Sequence, residues 1–140
     1  MCIRDSLSAS YGAKTFTHVW SLVYVGAGAC DEACASALYV MRQTHLGLNT
    51  DMERVQRVFV ATGDASARQS LLREYPGLVV IHAADREGEE LVRQFPADDR
   101  AHATFIVDPL GNLMMRCDTR ADPKGLREDL QKLLKLSNIG

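Results

Sequence analysis

The chain of 140 residues has no run of about 18 apolar residues, so the sequence as given holds no transmembrane helix. It also lacks the continuous apolar centre of a signal peptide. Net charge is only −2, with Lys and Arg scattered, so no basic stripe points to nucleic acid and no basic amphipathic segment to a membrane surface. Of four cysteines, the three beyond the first residues are too few for a disulfide-stapled scaffold, and their spacing matches no four-ligand zinc site. Internal repeats, low-complexity tracts and domain linkers are absent too. What is there, 46% hydrophobic and 24% charged, fits one globular domain with a sizeable core.

The first residues look foreign. Met1-Cys2-Ile3-Arg4-Asp5-Ser6 can be back-translated as the end of a transposon used to prepare sequencing libraries, read in frame from its ATG. The expectation is therefore an artefactual or mobile lead-in over residues 1–14, a single domain over 15–140, and a natural chain that began upstream with an anchor or signal. A genomic read through the locus tests this, and a native stop codon just before Met1 would refute it. On this reading Cys2 has no function, and Cys30, Cys34 and Cys117 remain.

Trp20 to Val25 reads as the first strand, within an extended stretch from Thr15. A helix follows over Ala33 to Leu48, in which Cys34, Ala37, Leu38, Met41, His45 and Leu48 share one face. Val55 to Ala61 is an interior strand, Gly63-Asp64 a turn, and Ala65 to Glu74 a helix ended by Pro76-Gly77. Leu78 to Ile81 is a strand, Arg86 to Phe95 a short helix, and Ala103 to Val107 and Leu113 to Cys117 a hairpin joined through Asp108-Pro109-Leu110-Gly111-Asn112. Asp122 caps a final helix with Pro123 at its first position and Leu126, Leu130, Leu133 and Leu134 on its apolar face. Strands alternating with helices and closed by a hairpin imply an α/β thioredoxin-like fold: a central mixed sheet, helices on both faces, and a C-terminal β-hairpin plus helix.

Chemistry concentrates at Cys30-Asp31-Glu32-Ala33-Cys34, where the first strand passes into its helix. A Cys-x-x-x-Cys on a helical turn sets the two Cα atoms roughly 6 Å apart, within disulfide range. As thiolates the pair are soft ligands suited to Cu(I), and a helix N-terminus favours a nucleophilic thiolate, against which Asp31 and Glu32 act. The competing reading is two small buried hydrophobes. His102 precedes the hairpin, and in a thioredoxin-like fold the loop entering that strand lies against the loop bearing the cysteines. It is thus either a third ligand of a trigonal Cys-Cys-His site or a hydrated loop histidine. His18, His45 and His82 read as structural, and Cys117 as hairpin packing beside Met114 and Met115. Gly26-Ala27-Gly28 is no dinucleotide turn, because the third small residue would fall at Asp31. A thioredoxin-like peroxidase commonly has Thr or Ser where Ala27 stands.

With Val23-Tyr24-Val25-Gly26, the Cys30/Cys34 pair, the strand Val58 to Ala61 and Phe105-Ile106-Val107-Asp108-Pro109-Leu110-Gly111-Asn112, the chain resembles the Sco/SenC family over most of Trp20 to Leu136. The resemblance implies a membrane-anchored, thioredoxin-like protein at the periplasmic face of the inner membrane. Such a protein binds copper and helps to load cytochrome c oxidase, partly by thiol redox chemistry. By the resemblance Cys30 and Cys34 are the copper thiolates, with His102 as the candidate for the histidine ligand that the family adds to them. The partner is an oxidase subunit or another thiol protein of the assembly pathway, with no nucleic acid and membrane attachment only through an N-terminal anchor. Two positions depart from the family pattern: Asp31 stands where Pro usually follows the first cysteine, and Arg100 where the histidine stands, with His102 two residues nearer the turn. A shift of two keeps strand parity. A thiol-disulfide oxidoreductase without stable metal and a non-catalytic docking domain are the alternatives.

Overall fold

Side chains of Trp20–Ala27 alternate across a sheet, which decides what each one meets. Trp20, Leu22 and Tyr24 enter one buried cluster, Val23 and Val25 another. The structure, a computed structural model, describes residues 2–4, 18–63, 66–84 and 86–136. In chain order its elements are β1 (Cys2–Arg4), β2 (Trp20–Ala27), α1 (Glu32–Leu46), a 3₁₀ segment (Asn49–Arg54), β3 (Val55–Thr62), α2 (Arg68–Glu74) and β4 (Leu78–His82). Then come α3 (Arg86–Arg93), a 3₁₀ turn (Arg100–His102), β5 (Ala103–Val107), β6 (Leu113–Asp118) and α4 (Pro123–Leu136).

The strands form one sheet in the order β1-β6-β5-β2-β3-β4. β2, β3 and β4 are parallel, and β5, β6 and β1 add antiparallel pairings. On one face Cys34, Ala37, Leu38 and Met41 of α1 pack with Leu71 of α2 and with Leu126, Leu130 and Leu134 of α4. On the other, Leu91 and Val92 of α3 pack with Phe95, Phe105, Val58 and Val60. This is the thioredoxin-like α/β arrangement expected from sequence.

α1 starts at its N-cap Asp31, whose carboxylate accepts from the Cys34 N–H at 3.0 Å, and ends at Gly47. Thr44, not His45, completes its buried stripe; the His45 ring is instead hydrogen-bonded to the Met52 carbonyl at 2.8 Å. The hairpin turn is held by Asp108 Oδ1, which accepts from the N–H groups of Leu110 and Asn112, while Gly111 takes φ +88. α4 opens as expected, Asp122 Oδ1 accepting from Lys124 N–H at 3.0 Å.

One end of the sheet differs from the sequence reading. Cys2–Arg4 pairs with β6, and Cys2 lies opposite Cys117 with their sulfurs bonded. β6 would otherwise present an open edge, and three residues satisfy part of it. Cys2 thus has a structural partner, and Cys117, 2% exposed, is a disulfide cysteine rather than packing alone. The expected lead-in at residues 5–14, the extended residues 15–17, the turn at Asp64 and the helix start at Ala65 lie outside the described residues.

Candidate functional site: a dithiol junction and a histidine turn

Cys30 and Cys34 form a disulfide with Cα atoms 5.0 Å apart. The two sulfurs are not equivalent. Cys34 faces the core at 2% exposure, as its place on the α1 stripe requires, whereas Cys30 precedes the helix and is half-buried. The loop between strand and helix is stitched to β3 and to itself: Gly28 N–H donates to the Thr62 carbonyl at 2.7 Å, and Cys30 N–H to the Ala27 carbonyl at 3.0 Å. Cys30 takes φ +52, a left-handed conformation that costs a non-glycine residue about 1–2 kcal/mol. Loop and cap together hold that backbone.

Asp31 has two effects. As N-cap it fixes the first turn of α1, worth about 1 kcal/mol. Its charge also reaches Tyr24, whose hydroxyl is pushed above the ordinary tyrosine value, chiefly by burial and then by Asp31. A carboxylate beside the two sulfurs likewise opposes formation of a thiolate there.

His102 ends the 3₁₀ turn before β5 and is half-buried. It lines a cleft of about 480 Å³ with Glu32, Ala33, Ser36, Thr119 and Arg120, so the turn lies against the start of α1. Three contacts hold the turn. Tyr24 Oη donates to the Ala101 carbonyl at 2.9 Å, Thr119 N–H donates to the His102 carbonyl at 2.9 Å, and Arg120 bridges Asp99 at 2.6 Å and Asp118 at 2.8 Å. The hydrogen bonds from the Arg120 side chain and N–H hold the Asp118 carboxyl far below the usual range.

Tyr24 and Arg120 are the residues that sequence reasoning did not single out. Tyr24 leaves one signal, the glycine two positions on. A Cβ at Gly26 would stand 2.9 Å from the Tyr24 ring, so the small residue makes the room in which the tyrosine leans toward Ala101. Arg120 left none.

The structure therefore brings Cys30 and Cys34 together and sets His102 beside the helix they begin. Among the described residues no three His, Cys, Asp or Glu side chains converge closely enough to hold a metal ion in this disulfide form. The donor chemistry nonetheless suits Cu(I) once the disulfide is reduced, with two soft sulfurs on one turn and an imidazole on the facing segment. The other histidines lie elsewhere: His18 is exposed, its N–H bonded to the Pro109 carbonyl, and the His82 ring is bonded to the Gly63 carbonyl.

Residues 20–137 match the family described as "transmembrane-like, thioredoxin-like, C-terminal domain". No curated protein matches the chain. Among solved structures, copper-bound yeast Sco1 is similar with a TM-score of 0.74 at 16% identity, over 87% of this chain and 82% of that one. Copper-bound ScoI of Arabidopsis thaliana is similar with a TM-score of 0.71 at 14% identity, over 89% of each chain. A SCO1/SenC family lipoprotein from Bacillus anthracis is similar with a TM-score of 0.66 at 9% identity, over 96% of this chain and 94% of that one. At these identities the likeness is one of fold.

Proposed function

Because the chain belongs to the family of transmembrane-like, thioredoxin-like C-terminal domains, we propose that it is a Sco-like copper-handling or thiol-redox assembly factor for cytochrome c oxidase, working through Cys30 and Cys34. The observation that carries this is the sulfur pair itself, closed at the β2–α1 junction with one sulfur buried and the other half-exposed. Reduction of the disulfide by two electrons and two protons gives two thiols on one helical turn. Cu(I), the cargo, then displaces the two protons and is held by the thiolates, with His102 as third ligand from across the cleft. A half-exposed Cys30 leaves the metal open to a partner's thiols, as transfer requires.

The copper-bound yeast and Arabidopsis structures support a copper cargo. The lipoprotein relative supports membrane attachment, here through an N-terminal anchor at the periplasmic face of the inner membrane. The partner is an oxidase subunit or another thiol protein of the assembly pathway. Anaerobic titration of the reduced protein with Cu(I) tests the reading. One copper per chain is expected, and no stoichiometric binding refutes it.

The unequal exposure of the two sulfurs also favours a second reading, a thiol-disulfide oxidoreductase. The Cys30 thiolate attacks a partner's disulfide, forming a mixed disulfide and releasing one partner thiol. Cys34 then displaces the second, so the partner leaves reduced and Cys30–Cys34 oxidised. The variant Cys34→Ser should trap the mixed disulfide, and a Cys30 thiol inert to disulfides would exclude this chemistry.

A further inference from the structure

Arg57 sits in β3 in the alternating set of Val55, Phe59 and Ala61, the side of the sheet covered by α1 and α2. It is 6% exposed. Its Nη2 donates to the Pro76 carbonyl at 2.5 Å, while Nε and Nη1 have no partner among the described residues. Buried polar groups are paired in the great majority of cases, and an orphan of this kind calls for water or an ion. For a guanidinium the requirement is sharper, because a buried charge without a countercharge is strongly unfavourable.

The surroundings say which. A cleft of about 400 Å³ lies beside Arg57, lined also by Arg42, His45, Gln56, Pro76 and Gly77, and none of its lining residues is acidic. Neither arginine is in an ion pair among the described residues. Burial, and then the charge of Arg42, push the Arg57 guanidinium below its ordinary value, as two cations facing one another must. No carboxylate contributes to the shift of Arg57, and the charge of Arg42 likewise lowers the Tyr75 hydroxyl against the opposing effect of solvent-exposed Glu74.

The geometry points to this cleft as a binding site for a small oxyanion, a phosphate or carboxylate group held between Arg42 and Arg57. A guanidinium already shielded from water makes a stronger charge-assisted hydrogen bond than an exposed one. The cleft has the volume of small-molecule sites. It lies at the start of β3, whereas the dithiol lies beyond the end of β2, so the site is independent of the copper reading.

Thermal unfolding of the full chain at constant ionic strength tests it, with inorganic phosphate in one arm, succinate in another and chloride as baseline. Ten times the half-saturating concentration of the preferred anion should raise Tm by about 4 °C, saturably, and the larger response tells phosphate from carboxylate. Arg57→Met should raise Tm in chloride, since it removes an unpaired buried charge, and should abolish the saturable rise. Arg42→Gln, at a half-buried position, should weaken the anion at least about threefold. A rise of equal size in both variants, or one that never saturates, would reflect general salting-out and overturn the site. If Arg57→Met does not fold, an unchanged midpoint in Arg42→Gln overturns it alone. Cys30→Ser should keep the whole response.

Discussion

The two halves of the candidate site are built in opposite ways. The sulfurs belong to residues four apart, placed by a strand end, a loop hydrogen bond and a helix cap within one short segment. The imidazole arrives from a turn some seventy residues on, held by a tyrosine of β2 at a sequence separation of 77 and by an arginine that follows β6. Mostly local construction ties the dithiol to the rest of the fold only through the Gly28–Thr62 hydrogen bond and the buried seat of Cys34. Remote construction makes the histidine's position a property of the whole sheet. A metal ion that needs both halves is therefore gained or lost by changes far from any ligand.

The largest effect expected is from the sulfurs. Cys30→Ser or Cys34→Ser in the reduced protein should take Cu(I) binding from one per chain to none, by anaerobic titration. Next is Gly26→Ala, which sets a methyl 2.9 Å from the Tyr24 ring and should cost about 1–3 kcal/mol by chemical denaturation. Displacing that ring should also weaken copper affinity without changing its stoichiometry. If stability falls and affinity does not, the tyrosine has no part in placing His102. Asp31→Ala breaks the dithiol half alone. Loss of the cap should cost about 1 kcal/mol, read as a Tm lower by about 4 °C.

The smallest effect concerns the clamp on the histidine turn. The folded-state pKa of Asp118 lies below its unfolded value, so its contribution is fully present above about pH 4 and fades as pH falls below that. Both partners are largely exposed, so solvent screens the pair. Arg120→Gln should lower Tm by less than about 2 °C at pH 7, and that difference should shrink progressively as pH falls below about 4, and shrink also in high salt. A difference that persists in acid would place the stabilising contact elsewhere.

The same division explains what the sequence made legible. Strand, loop, cysteine pair and helix were readable because each signal spans a few residues: β-branched runs, a 3.6-residue stripe, an acidic residue at a helix start. Asp31 read as a carboxylate acting against a thiolate at the helix start, and it is the N-cap of α1. His102 could be placed beside the dithiol by fold, but its contacts rest on Tyr24 and Arg120, and no local pattern announces a partner 77 positions away. The Cys2–Cys117 bond, across 115 residues, was missed because the reading of residues 1–6 as foreign had set Cys2 aside. Arg57 is instructive in another way. Its parity with Val55 and Phe59 in the strand Val55–Thr62 sets it on the buried side, where it is 6% exposed, although the sequence reading did not single it out.

The central claim is that two separately built halves meet on one copper ion. X-ray absorption at the copper edge of the reduced, Cu(I)-loaded protein tests it most directly, measured beside His102→Ala. The account predicts two sulfur scatterers and one nitrogen in the parent, with the nitrogen lost and both sulfurs kept in the variant. Identical coordination in the two proteins would contradict it.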